Sequence, residues 1–210
     1  RPEVMGYAFS EAMAAAMTAA LRDAPFRPFL EGHPERQVCV VNFLRGGLNF
    51  HLRRALAEAY GFNTHSSAFM SSQRSRVDGR WRVQEDVYRK LHIPKDAVLV
   101  VGDVVATGVT LDNGMDVIGD HVKAIGSSVR GIVFFTVGCH KAEKVMERTD
   151  ARMRTLFPHY ERTVVVYLEG KFRLVDSRTR LRIAIQGTDL LRTDALLTPE
   201  FAQSQYEAWP

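Results

Sequence analysis

The chain holds very little cysteine: Cys39 and Cys139 are the only two in 210 residues. Each lies in or just after an apolar, strand-like run, so both read as reduced, buried thiols rather than a disulfide framework. The compartment expected from this is the cytoplasm. Long hydrophobic runs are missing too. No apolar stretch approaches the length that spans a bilayer, and no charged-then-apolar secretion signal opens the chain, which excludes a membrane from the expected partners. Internal repeats, low-complexity tracts and linkers are absent, and 210 residues suffice for one domain with a substantial core. Net charge is modestly positive, +4. A basic balance suits nucleic acid, and it suits a polyanionic small molecule equally well. No Lys/Arg block is dense enough to favour nucleic acid.

What is present is an ordinary globular composition, 46% apolar and 25% charged, with one stretch that orders the rest. Residues 97–111 read Ala-Val-Leu-Val-Val-Gly-Asp-Val-Val-Ala-Thr-Gly-Val-Thr-Leu. Val98 to Val101 suit a strand buried on both faces. Gly102 and Asp103 close the run. Ala106, Thr107, Gly108, Val109 and Thr110 are small or hydroxylated and lead into a helical pattern. A strand, a tight loop of small residues and a helix start together make a phosphate site, because backbone N–H groups converge there and the helix dipole favours an anion. Asp103, at the strand end, is placed to take sugar hydroxyls. A phosphorylated sugar fits both features, while an ordinary buried strand with a turn is the plainer alternative.

A second glycine-rich turn follows the strand Val38 to Phe43. Here Arg45 brings positive charge, and Gly46 and Gly47 let the backbone approach a ligand. By composition alone it suits a plain turn as well. Further along, Thr64 to Met70, Gly131 to Val137 and Arg162 to Leu168 read as strands. Residues 10–22, 49–60, 85–91, 109–125 and 141–153 read as helices, with Ser10 as the N-cap of the first and Met13, Met17 and Leu21 on its buried face. Pro25, Pro28 and Pro34 form a connector after it. The alternation of strand and helix predicts an α/β fold, doubly wound, with a mainly parallel five-stranded sheet ordered 2-1-3-4-5. In that order the strands preceding the two loops are neighbours at the switch point, where ligands bind. Asp78-Gly79 marks a hairpin turn inside a basic, core-poor stretch, residues 71–82.

Residues 97–111 resemble the signature of the type I phosphoribosyltransferases, in which an apolar strand and two acidic residues precede an Ala-Thr-Gly-Gly-Thr-type loop. Here the loop reads Ala-Thr-Gly-Val-Thr, and Gly102 stands where the family usually has its first acid. The resemblance covers roughly residues 38–168. It implies transfer of a 5-phosphoribosyl group from phosphoribosyl pyrophosphate to a ring nitrogen, with release of pyrophosphate. In that reading Ala106 to Thr110 hold the 5′-phosphate, Asp103 stabilises the sugar, and Arg45, Gly46 and Gly47 form the pyrophosphate loop. A mobile hairpin brings Arg74 and Arg76 as catalytic candidates, with Arg80 and Arg82 unranked beside them, and Mg2+ accompanies the donor. The composition of the hairpin is equally that of a solvated surface turn.

The family also implies a hood over the acceptor. This divides the chain into an N-terminal helix and connector (1–36), a core (37–168) and a C-terminal hood and tail (169–210). Phe172 and Val175 are candidates for stacking on the acceptor, a nucleobase or other nitrogen heterocycle, and are equally plausible as hood core. Gly187-Thr188-Asp189 and a terminal helix over 198–206 belong to the same segment. A homodimer is the expected assembly. The alternative of another class is a phosphoribosyl pyrophosphate-binding regulator of the same fold acting on nucleic acid.

Overall fold

The computed structural model describes residues 6–23, 25–44, 50–78, 80–105, 107–174 and 196–197. Seven strands form one sheet: β1 (Val38–Phe43), β2 (Ser66–Val77), β3 (Arg80–Lys90), β4 (Ala97–Val105), β5 (Val129–Cys139), β6 (Arg162–Leu174) and β7 (Leu196–Leu197). Their spatial order is β3-β2-β1-β4-β5-β6-β7. The central pairs β2–β1, β1–β4, β4–β5 and β5–β6 are all parallel. These five strands, numbered among themselves, keep the expected order 2-1-3-4-5. The expectation of five strands in total is corrected by two antiparallel edge strands, β3 against β2 and β7 against β6.

The parallel strands are buried on both faces, and their alternation splits the core in two. Val38, Val40, Val98, Val100, Val133 and Phe135 turn to one face. There they meet Met13, Met17 and Leu21 of α1 (Gly6–Asp23), Phe29 and Leu30 of α2 (Arg27–Glu31) and Leu52, Ala55 and Leu56 of α3 (Leu52–Tyr60). Val41, Phe43, Leu99, Val101, Ile132 and Phe134 turn to the other face. That side is covered by α4 (Val109–Ala124), through Leu111, Met115 and Ile118, and by α5 (His140–Leu156), through Val145, Met146 and Met153. Each fully buried side chain of this size contributes about 1.5–3 kcal/mol. Helices on both faces of a parallel sheet make the doubly wound arrangement.

Several sequence expectations are corrected locally. Ser10 is not an N-cap. It lies inside α1, and its hydroxyl pairs with His51 Nε2 at 2.6 Å. The proline-rich connector contains α2, with Pro28 in its first turn, and a 3₁₀ turn over Glu35–Gln37. Residues 85–91 are not helical; all but Leu91 belong to β3. β6 does not end at Leu168 but runs to Leu174. Between Thr136 and Gly138 its register against β5 shifts. A two-residue step along β5 there spans a four-residue step along β6, an irregularity that carries the strand onward. Both thiols are free and buried as expected, and burial pushes the Cys39 thiol up to about 12.

The carboxyl edge of the sheet positions the candidate site. β1, β4 and β5 all end there, and α3, α4 and α5 all begin there. β2 continues past the edge. It pairs with β1 from Ser66 to Met70 and with β3 from Phe69 to Val77, so the second half of β2 and most of β3 form a hairpin standing beyond the ends of β1 and β4. No described helix is long and apolar enough to cross a membrane.

Candidate phosphate and sugar site at the carboxyl edge

The start of α4 lies at this carboxyl edge, directly after β4. Gly108 is its N-cap, at φ 80°, a left-handed conformation that glycine adopts without strain. A Cβ at this position would also come within 2.9 Å of Val145 Cγ2 on α5. The glycine is therefore needed both for the turn and for the close approach of the second helix. Glycine as the cap brings no side-chain oxygen of its own to the first N–H groups of α4. Those donors and the positive end of the helix dipole face the edge of the sheet. Asp112 in the first turn would oppose an anion, but Arg148 of α5 holds its carboxylate at 2.8 Å. Gly114 seats the helix: a Cβ there would lie 2.2 Å from Phe43 Cε1, so the Phe43 ring at the end of β1 fills the space that glycine leaves. This contact sets the 107–110 turn beside the end of β1.

Asp103 lies one register step beyond the Asn42–Gly102 pair of β1 and β4 and is buried. Its Oδ1 accepts the N–H of Val104 at 2.9 Å, and its main-chain oxygen accepts the Thr136 hydroxyl at 2.9 Å. The neighbouring Gly102 has a steric reason to lack a side chain. A Cβ there would stand 2.7 Å from both Cβ and Cγ of Phe50. Phe50 is itself buried and belongs to the core layer beneath α3. At this strand end an aromatic ring takes the room beside one carboxylate.

The structure brings Asp103, Thr107, Gly108, Val109 and Thr110 together within one strand-turn-helix unit. Ala106, the fifth member of the 106–110 loop, lies outside the described residues, as do Arg45, Gly46 and Gly47. Leu44, which leads into that second loop, donates its N–H to Met70 O at 2.8 Å. The chain therefore leaves β1 alongside the base of the hairpin. Arg74 and Arg76 sit on β2 within the hairpin, opposite Val83 and Trp81 of β3. Phe172 lies on the extension of β6, opposite Cys139 at the end of β5. Its neighbour Lys171 bonds Glu143 of α5 at 2.5 Å. Val175 and the 187–189 and 198–206 segments lie outside the described residues.

Among the described residues no three His, Cys, Asp or Glu side chains gather as a metal site. Asp103 is the carboxylate at the strand end. That donor set fits magnesium only where most of the ligands come from a bound polyphosphate and from water. Thr136, Phe50 and Arg148 are the residues that sequence reasoning missed. None belongs to a motif, and each matters through a neighbour in space.

Fold and site together define a class: a doubly wound α/β protein with a glycine-capped helix start and a buried carboxylate at the switch point. No family model matches the sequence, and no curated protein matches it. Among solved structures, the chain is similar to a variant of the hypoxanthine phosphoribosyltransferase of Trypanosoma cruzi in complex with the product IMP. That likeness has a TM-score of 0.44 and 13% identity, over 96% of this chain and 93% of that chain. It is similar also to the adenine phosphoribosyltransferase of Trypanosoma brucei, in complex with AMP, pyrophosphate and ribose-5-phosphate, at a TM-score of 0.45 and 13% identity over 89% and 76%. A hypothetical protein from Neisseria gonorrhoeae with bound ppGpp matches at a TM-score of 0.38 and 10% identity, over 60% of this chain and 66% of that one.

Proposed function

We propose that this protein transfers the 5-phosphoribosyl group of phosphoribosyl pyrophosphate to a ring nitrogen of a nucleobase or other nitrogen heterocycle, releasing pyrophosphate. One observation carries the reading. β1 and β4 run parallel and side by side, so the chain leaves the sheet at one edge both after Leu44 and after Val105, with Asp103 and the glycine-capped start of α4 at that same edge. A phosphate, a ribose and a pyrophosphate in a row match that sequence of groups.

In this reading the 106–110 turn cradles the 5′-phosphate with backbone N–H groups and the Thr107 and Thr110 hydroxyls. Asp103 takes the ribose hydroxyls and stabilises the positive charge that develops on the sugar as pyrophosphate departs. Arg45, Gly46 and Gly47 bind the pyrophosphate, and Arg74 and Arg76 on the hairpin cover it and exclude water. Phe172 and Val175 are assigned to the acceptor side, and residues 169–210 to a hood that accompanies the 37–168 core. Magnesium, held by the donor oxygens and Asp103, would supply charge neutralisation of the polyphosphate. A homodimer in the cytoplasm completes the proposal, the two free thiols being compatible with that compartment.

The test is calorimetry of the full chain with phosphoribosyl pyrophosphate and magnesium, against ribose 5-phosphate, followed by a screen of heterocycles for pyrophosphate release. Magnesium-dependent donor binding with turnover is the expected result. Donor binding without turnover on any heterocycle would favour the regulator. No binding at millimolar donor would remove the reading.

A further inference from the structure

Thr136 is fully buried in β5 and lies opposite Asp103 of β4 in register. A hydroxyl in such a place needs an acceptor, because leaving it unpaired costs about 1–3 kcal/mol. It finds the main-chain oxygen of Asp103 at 2.9 Å. The N–H of that same peptide unit, on Val104, donates to Asp103 Oδ1 at 2.9 Å. One rigid plane therefore carries both bonds, the hydroxyl at its carbonyl end and the carboxylate at its amide end. Turning the plane enough to break one bond moves the other. The two bonds also polarise the peptide in the same sense, which strengthens each.

The position of the hydroxyl is enforced from a second side. A Cβ on Gly138 would lie 2.8 Å from Thr136 Oγ1 and 3.3 Å from Val105 Cβ. Only glycine leaves the hydroxyl its place. The register shift of β6 against β5 falls between these same two residues, Thr136 and Gly138, so the irregularity adjoins the residue that grips Asp103.

We infer that Thr136 is a positioning residue for Asp103: it fixes the 103–104 peptide plane and, through it, the direction of the Asp103 carboxylate. It acts at one remove from any ligand. Its catalytic meaning rests on the proposed role of Asp103 toward the ribose.

The experiment uses the full chain, isotopically labelled, as wild type and as Thr136→Val, Thr136→Ser and Gly138→Ala. Two quantities are read: hydrogen exchange of the Val104 amide relative to other β4 amides, and affinity for phosphoribosyl pyrophosphate with magnesium. Thr136→Val keeps the shape and removes the hydroxyl. It is expected to speed Val104 exchange about tenfold and weaken donor binding about five- to tenfold. Thr136→Ser returns both to within about twofold of wild type, and Gly138→Ala, which displaces the hydroxyl without deleting it, behaves like Thr136→Val. If Thr136→Val only lowers the melting temperature and leaves Val104 exchange and donor affinity unchanged, the inference is overturned. If it does not fold, Gly138→Ala decides: unchanged Val104 exchange overturns the inference. If Val104 responds as expected but wild type binds no donor, the positioning role stands and the proposed transferase reading falls.

Discussion

Asp103 is the residue on which the proposed chemistry turns. Asp103→Asn keeps an oxygen able to accept the Val104 N–H but removes the charge. Turnover measured as pyrophosphate release is expected to fall at least about a hundredfold, with the melting temperature within about 4 °C of wild type. Gly102→Ala is expected to cost about 1–3 kcal/mol by overpacking, since the new methyl would sit 2.7 Å from Phe50. Urea melts measure this, and adding Phe50→Ala should recover part of the loss relative to the sum of the single changes. His65 gives a pH prediction. Neither of its ring nitrogens has a hydrogen-bond partner, and Glu35 Oε1 lies 3.9 Å from Nδ1. Burial, and then Arg53, hold its pKa below the ordinary 6.5, with Glu35 opposing. Folded His65 thus stays neutral where the unfolded imidazole takes a proton. Its contribution to stability is complete above about pH 6.5 and is lost as pH falls from there toward the folded value. Melts across this range should show a slope that His65→Phe removes. At this scale the sequence pointed to Asp103 and the 106–110 turn, because a motif is contiguous. Thr136, Phe50 and His65 were invisible, because their roles come from neighbours 33, 52 and 30 residues away.

At the scale of the element, α4 and α5 are joined by an ionic clasp on their outer side. Arg152 bonds Asp116 at 2.5 Å and Asp120 at 2.7 Å, one turn apart on α4. The group is largely exposed, so Arg152→Ala is expected to cost at most about 1 kcal/mol, and less at high salt. Thermal melts at low and high ionic strength check this. A larger, salt-independent loss would mean that the arginine stem packs between the helices. Element identity was legible wherever burial is two-sided. The all-apolar runs of β1, β4 and β5 read as strands, and their boundaries moved only by a few residues. Misreadings fall where the periodicity is broken. Val87 and Leu91 stand four apart, as on a helix. β3 hides its alternation because its register against β2 shifts twice, between Ser71 and Ser72 and between Gln73 and Arg74. Ser10 looks like a cap because serine before an apolar stripe usually is one. Here it lies inside α1 and reaches across to His51.

For the whole molecule, the expectation is that the hairpin contributes to turnover and not to the fold. Arg74→Ala with Arg76→Ala should leave the melting temperature within about 2–4 °C while lowering pyrophosphate release at least tenfold. Equal release in the double variant would make the hairpin a plain surface feature. The overall topology was readable from the βα alternation, since the winding rules leave few orders for such a chain. The hairpin of β2 and β3 was readable at its Asp78-Gly79 turn, but its length and the β7 edge were not, because the polar arms lack the apolar runs that mark central strands.

β2 is a single strand with two employers, and that has a mechanical result. Met70, fully buried and bonded to Leu44, is the last residue paired with β1. Val77 is the last before the turn. At about 3.3 Å per residue, the free arm between them is about 23 Å long. A tilt of about 10° at Met70 would carry the turn about 4 Å while leaving the fulcrum in place. The same lever works in reverse. A push on the tip exerts torque on the end of β1, where Leu44 is bonded to Met70.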